Sequence, residues 1–110
     1  DFKLLAWGRH FRLSPLCKII VSRNESENGI LEKIVTAEDY FMFMAEIPGP
    51  VAILRGICTD DEISVAASVL VRFSKARNSG TVKVKVFHKE NTFIREVESA
   101  NDQYCQAIRI

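Results

Sequence analysis

Apolar and polar residues alternate most strictly over Thr81 to Phe87, where Val82, Val84 and Val86 interleave with Lys83 and Lys85. A period of two puts the valines on one face and the lysines on the other, which predicts a strand with one buried face. Val51 to Leu54 is instead a continuous apolar run, as expected of a strand buried on both faces. Shorter strands are predicted around His10 to Leu13 and Cys17 to Val21, with Ser14-Pro15 turning between them. Another is predicted over Tyr40 to Ala45, ahead of Pro48-Gly49-Pro50, whose fixed ring torsions and missing amide donors force a turn. Thr92 to Val97 and Tyr104 to Ile110 read as a closing hairpin around Ala100-Asn101-Asp102.

Two stretches change to helical spacing. Asn24 offers an N-cap, Glu25 and Glu27 favour a helix's first turn, and Ile30, Leu31, Ile34 and Val35 recur at three- and four-residue intervals. Thr59 or Asp60 caps a second helix, expected to run to about Ala76 and to stop near Asn78-Ser79-Gly80. This helix is apolar nearly all round. Ser64, Ser68, Arg72 and Lys75 form one polar stripe, so it is expected to be largely covered with one exposed edge. The order ββαββαβββ predicts an α+β fold, with a mixed or antiparallel sheet of about six to seven strands and two helices packed on it.

The length of 110 residues suits one domain spanning 1–110. A net charge of +1 excludes a histone-like binder, so a nucleic-acid footprint must be local. Cys17, Cys58 and Cys105 are odd in number, far apart and without metal-ligand spacing; the expectation is free buried thiols in a reducing cytoplasm. No apolar run approaches the about 18 residues of a membrane span, and no signal peptide opens the chain, so no membrane partner is expected. The start at Asp1 fits a piece cut from a longer protein.

Charge placement narrows the function. From Arg72 to Lys89 there are six basic residues (Arg72, Lys75, Arg77, Lys83, Lys85, Lys89) and no acidic one. The first 23 residues add Lys3, Arg9, Arg12, Lys18 and Arg23 against Asp1 alone. A segregated basic surface can hold phosphates, although solvated strand and helix faces would read the same way. Aromatic and basic residues also interleave in Trp7-Gly8-Arg9-His10-Phe11-Arg12, a pattern that serves either base stacking or a core. Catalysis finds no support: His10 and His88 fit no nucleophile pattern, Asp60-Asp61-Glu62 are explained as a helix start, and the glycines are dispersed.

Read as ordered blocks, the chain resembles the NFACT-type RNA-binding domain, in the variant at the C-terminus of PP-loop ATPases similar to tRNA thiouridine-forming enzymes. The blocks are Gly8-Arg9-His10-Phe11-Arg12-Leu13, Lys18 to Glu25, Glu27-Asn28, Pro48-Gly49-Pro50, Leu54-Arg55-Gly56, Ala66-Ala67 and Phe73-Ser74-Lys75-Ala76-Arg77. Two departures stand out. Ser22-Arg23-Asn24 replaces the broader family's Gly-Arg-Asn, and Asp39 is followed by Tyr40-Phe41-Met42-Phe43 rather than Trp-Phe-His.

The resemblance implies a cytoplasmic accessory domain that binds tRNA or other structured RNA and has no activity or cofactor of its own. ATP would bind a fused N-terminal PP-loop domain of a tRNA sulfurtransferase. The RNA-binding residues expected are Arg9, His10, Arg12, Arg23, Asn24, Arg72, Lys75, Arg77, Lys83 and Lys85, with no metal ligands. Two other classes stay open: a protein-interaction or dimerisation module using an exposed edge strand near the C-terminus, and a domain whose cysteines relay sulfur, which requires an exposed thiolate. Oligomeric state is not readable from the sequence.

Overall fold

A computed structural model of the chain describes residues 7–110; Asp1 and Lys3 lie outside them. The elements run β1 (Arg9–Ser14), β2 (Cys17–Val21), α1 (Glu25–Ile34), β3 (Tyr40–Met44), β4 (Val51–Gly56), α2 (Asp60–Arg72), β5 (Val82–His88), β6 (Asn91–Val97) and α3 (Asp102–Ile108). Six strands form one sheet in the order β1-β2-β4-β3-β5-β6, with every neighbouring pair antiparallel. The class is α+β, as the pattern predicts.

Strand alternation sorts the core. Phe11, Ile19, Val21, Met42, Ala52, Leu54, Val84 and Val86 meet Ile63, Ala66, Ala67, Leu70 and Cys105 on one face. Ile20, Val51 and Ile53 meet Leu31, with Ile34 and Val35 beside it, on the other. Helices therefore lie on both faces, and β4, buried throughout Val51 to Leu54, runs between them beside β2. α2 starts on a capping box: Thr59 Oγ1 accepts from the Glu62 N–H at 3.1 Å and Glu62 Oε1 accepts from the Thr59 N–H at 2.9 Å. It ends at Arg72, short of Ala76, because Ser74 turns its hydroxyl onto the Val71 carbonyl and receives the Ala76 N–H. Its polar stripe is a bonding rim rather than an open edge. Arg95 of β6 bonds Ser64 and Asp60, and the Ala100 N–H donates to the Ser68 carbonyl.

Two expectations are corrected. Tyr104 to Ile110 is not a strand. Asn101, read as a turn residue, is a helix N-cap whose side chain accepts from the Tyr104 N–H at 2.7 Å, and Cys105 and Ile108, three apart, face the core. β6 instead forms its hairpin with β5, and the tail rejoins the sheet through a single bridge between Arg109 and Phe11. The cysteines are not all free thiols. Cys17 pairs opposite Gly56, two residues before Cys58, so strand register brings together residues 41 apart in sequence. Cys17 and Cys58 form a disulfide with Cα atoms 5.3 Å apart, and Cys105 is a free, buried thiol.

Candidate nucleic-acid interface

The β2–α1 turn builds one wall of the site. Asn24 Oδ1 accepts from the Glu27 N–H at 2.9 Å, closing the helix start. Glu27, although acidic, is 4% exposed. It accepts from the Arg23 N–H at 2.8 Å and from the Arg23 guanidinium, Nε at 3.0 Å and Nη2 at 2.5 Å. These bonds, led by the side-chain pairing with Arg23, lower its pKa to about 2 from an ordinary 4.5. One half of the Arg23 fork is thus held in place while the side chain stays half-exposed.

Ser22 and Asn28 attach this turn to the Pro48-Gly49-Pro50 loop. The Ser22 hydroxyl donates to Asn28 Oδ1 and accepts from the Val51 N–H at 2.9 Å, and Asn28 Nδ2 donates to the Gly49 carbonyl at 3.2 Å. Serine in place of glycine at position 22 is therefore a working hydroxyl, and no positive φ is needed there.

The second wall comes from the end of α2. Phe73 stacks on Phe11 with centroids 5.5 Å apart, and the Arg9 and Arg72 guanidinium carbons lie 4.7 and 5.6 Å from its centroid. A cleft of about 470 Å³ lies between Arg23, Asn24, Pro48, Pro50, Phe73 and Lys75. The Arg9 pKa is lowered by burial first and then by the nearby charges of Arg109 and Arg23, which marks a concentration of positive charge. Arg72 is partly neutralised by Asp102, whereas Arg9 and Lys75 have no ion-pair partner among the described residues. Cations beside the free amides of a ten-residue helix's first turn make an anion-binding arrangement. Glu25 at the rim opposes it.

Arg9, Arg23, Asn24 and Lys75 are thus brought together, with Arg72 behind Phe73. The remaining expected residues are elsewhere. His10 is buried, its Nε2 donating to the Trp7 carbonyl at 2.8 Å. Arg12 bonds the Pro15 carbonyl at the opposite end of β1. Arg77 lines a separate depression with Asn78 and Ser99, and Lys83 and Lys85 project from the α1 side of the sheet. Phe73 stands in a family block without a role of its own, and the strand reading of the tail hides Arg109, whose guanidinium carbon is 5.7 Å from the Phe11 ring. Two thiols are paired and burial pushes the Cys105 thiol up. No His, Cys, Asp or Glu cluster with metal-binding geometry occurs among the described residues, and no helix there is long and apolar enough to cross a membrane.

Because Glu27 is deprotonated by its bonds in the folded state, it stabilises the domain above pH 4.5, and that stability is lost as pH falls from 4.5 toward 2. Glu27→Gln is expected to lower stability by about 1–2 kcal/mol at neutral pH, after allowance for the solvent around Arg23. Urea unfolding of both proteins at pH 7, 5 and 3 checks this: the gap should narrow at the acid end, and a gap independent of pH would refute the role given to the carboxylate.

A single antiparallel sheet that gathers arginines around a ring beside a helix start defines a polyanion-binding α+β module. The family model of the NFACT protein RNA binding domain matches residues 8–108, and the chain belongs to that family of RNA-binding domains. In fold it is similar to the C-terminal part of the fibronectin/fibrinogen-binding protein from Streptococcus suis, with a TM-score of 0.80 at 20% identity. That likeness covers 94% of this chain and 49% of the other, so the chain spans about half the length of that structure. Comparison with curated proteins gives no match.

Proposed function

We propose that this domain binds tRNA through the cleft between the β2–α1 turn and the end of α2, as an accessory module of a larger protein. The observation that carries the reading is the convergence of Arg23 and Lys75 on one cleft beside the start of α1, with Arg9 against the Phe73 ring of its second wall. Phosphate contacts of this kind supply affinity and orientation, and shape supplies most of the discrimination. The parent protein, on the resemblance of the sequence blocks, is a cytoplasmic PP-loop ATPase that forms thiouridine in tRNA. Its ATP site and catalytic groups lie in a fused domain, and this module holds the substrate. A reducing cytosol would keep Cys17 and Cys58 as adjacent thiols.

Titration of bulk tRNA into the domain over a salt series, with duplex DNA as competitor, tests the reading. Binding is expected in the micromolar range, falling steeply with salt and preferring tRNA. No binding at low salt would overturn it.

A further inference from the structure

The α1 side of the sheet is half covered. α1 lies over Ile20, Val51 and Ile53, while no helix among the described residues packs on the β5–β6 half of that face. There Phe43 faces Lys85 across the β3–β5 ladder, Phe41 faces Phe87, and Lys85 faces Ile94 across β5–β6. The rings form a continuous row, with centroids of Phe41 and Phe43 6.1 Å apart and those of Phe43 and Phe87 6.2 Å apart at 21°. Phe87 is 44% and Ile94 51% exposed. Val84 and Val86 are buried on the opposite face, so Lys83 and Lys85 stand beside the rings. Lys83 is 4.0 Å from Glu96, and Lys85 has no ion-pair partner among the described residues.

We propose that this face is a second RNA contact, a platform on which unpaired nucleobases stack while Lys85 and Lys83 meet the adjoining phosphates. The proposal rests on the RNA-binding reading above. Every base has a π-face, so a row of rings accepts bases without demanding a sequence, and cations spaced along the row take the backbone. Three observations favour RNA over a protein partner. The exposed Phe87 ring continues a row of phenylalanines, with Ile94 as the aliphatic member of the patch. The charge left uncompensated at its centre is a lysine. Phe43 pairs with Val51, the residue after Pro50 of the cation cleft, so the platform adjoins the first site through one loop. At the far end Glu32, Glu90 and Glu38, the last paired with Lys89 at 3.7 Å, line a groove beside Phe41 and Phe87. These carboxylates disfavour phosphates in that groove, so the backbone runs past Lys85 and Lys83 while Phe87 offers its ring to a base.

The 110-residue chain is titrated with a mixed-sequence single-stranded RNA and with a fully paired RNA duplex, using Phe87→Leu, Phe87→Tyr and Lys85→Gln. Leucine keeps the apolar bulk at an exposed site and removes the ring, so folding is retained, as a melting curve confirms. Phe87→Leu is expected to weaken single-strand binding roughly tenfold, with its salt slope and the duplex affinity unchanged, and Phe87→Tyr to bind like wild type. Lys85→Gln is expected to reduce the single-strand salt slope by about one. If Phe87→Leu and Lys85→Gln bind single strands like wild type while Lys75→Glu weakens binding, the platform is overturned and the cleft stands. Absence of binding to either RNA at low salt overturns both. A concentration-dependent dimer that Phe87→Leu dissolves, with RNA affinity intact, assigns the face to a second copy of the chain and also overturns the platform.

Discussion

Replacing Gly56 with alanine is expected to destabilise the domain by about 3 kcal/mol or more, and to lower its melting temperature by roughly 12–20 °C. Gly56 has φ of +109°, where L-residues are strained, and a Cβ built there would lie 1.8 Å from the Leu16 carbonyl oxygen. That oxygen cannot simply retreat. It accepts the Ile57 N–H at 2.9 Å, and Leu16 is held between β1 and the Cys17 start of β2. The crossing is what lets the chain leave β4 and deliver Cys58 to Cys17. Gly29→Ala is the internal contrast. A Cβ there meets nothing within 4 Å, and the residue lies inside α1, so alanine should add about 0.5–1 kcal/mol through helix propensity. Thermal and urea unfolding of both variants check the pair. A Gly56→Ala protein that melts within a few degrees of wild type would contradict the close crossing at Leu16.

The combined variant Arg23→Gln, Lys75→Glu is expected to lose tRNA affinity by about 30–100-fold at moderate salt, with the salt slope falling by about two. Lys75 is exposed at the cleft and unpaired, so its charge is available to phosphate. Arg23 is presented by Glu27, and glutamine removes the charge without placing a second carboxylate beside the buried one. Arg77→Glu should change affinity by less than about threefold, because Arg77 lines another depression. Equal losses from Arg77→Glu and Lys75→Glu would mean that binding follows net charge rather than the cleft. Circular dichroism should be unchanged in each variant.

Local patterns predicted the parts of this fold that local physics decides. The alternation of Val82 to Val86, the apolar run Val51 to Leu54 and the caps Asn24 and Thr59 all fix their elements through neighbours close in sequence. The closing helix failed that test because Asn101 serves equally well in a turn and as an N-cap, and the choice depends on Cys105 and Ile108 finding the core. Pairing of Cys17 with Cys58 depends on the β2–β4 register, which no spacing rule reports. The site divides in the same way. Arg23, Asn24 and Lys75 were legible as cations and a cap, but their meeting at Phe73 depends on the sheet order. For His10, alternation assigns a face, shared with Ile20, without saying that the side chain is buried there against the Trp7 carbonyl. Lys83 and Lys85 were placed on a strand face correctly, yet the same alternation could not show that the face is separate from the cleft.

The Cys17–Cys58 bond closes a covalent ring that contains β2, α1, β3 and β4. Arg23, Asn24 and Pro48 to Pro50 lie on the ring, whereas Arg9, Phe73 and Lys75 lie on the two free arms. A closed loop of this size removes about 4 kcal/mol of disorder from the unfolded chain in the loop-entropy description. That constraint acts on one wall of the cleft alone, so oxidation pre-assembles the wall bearing the helix start and leaves the aromatic wall to be added by the packing of α2.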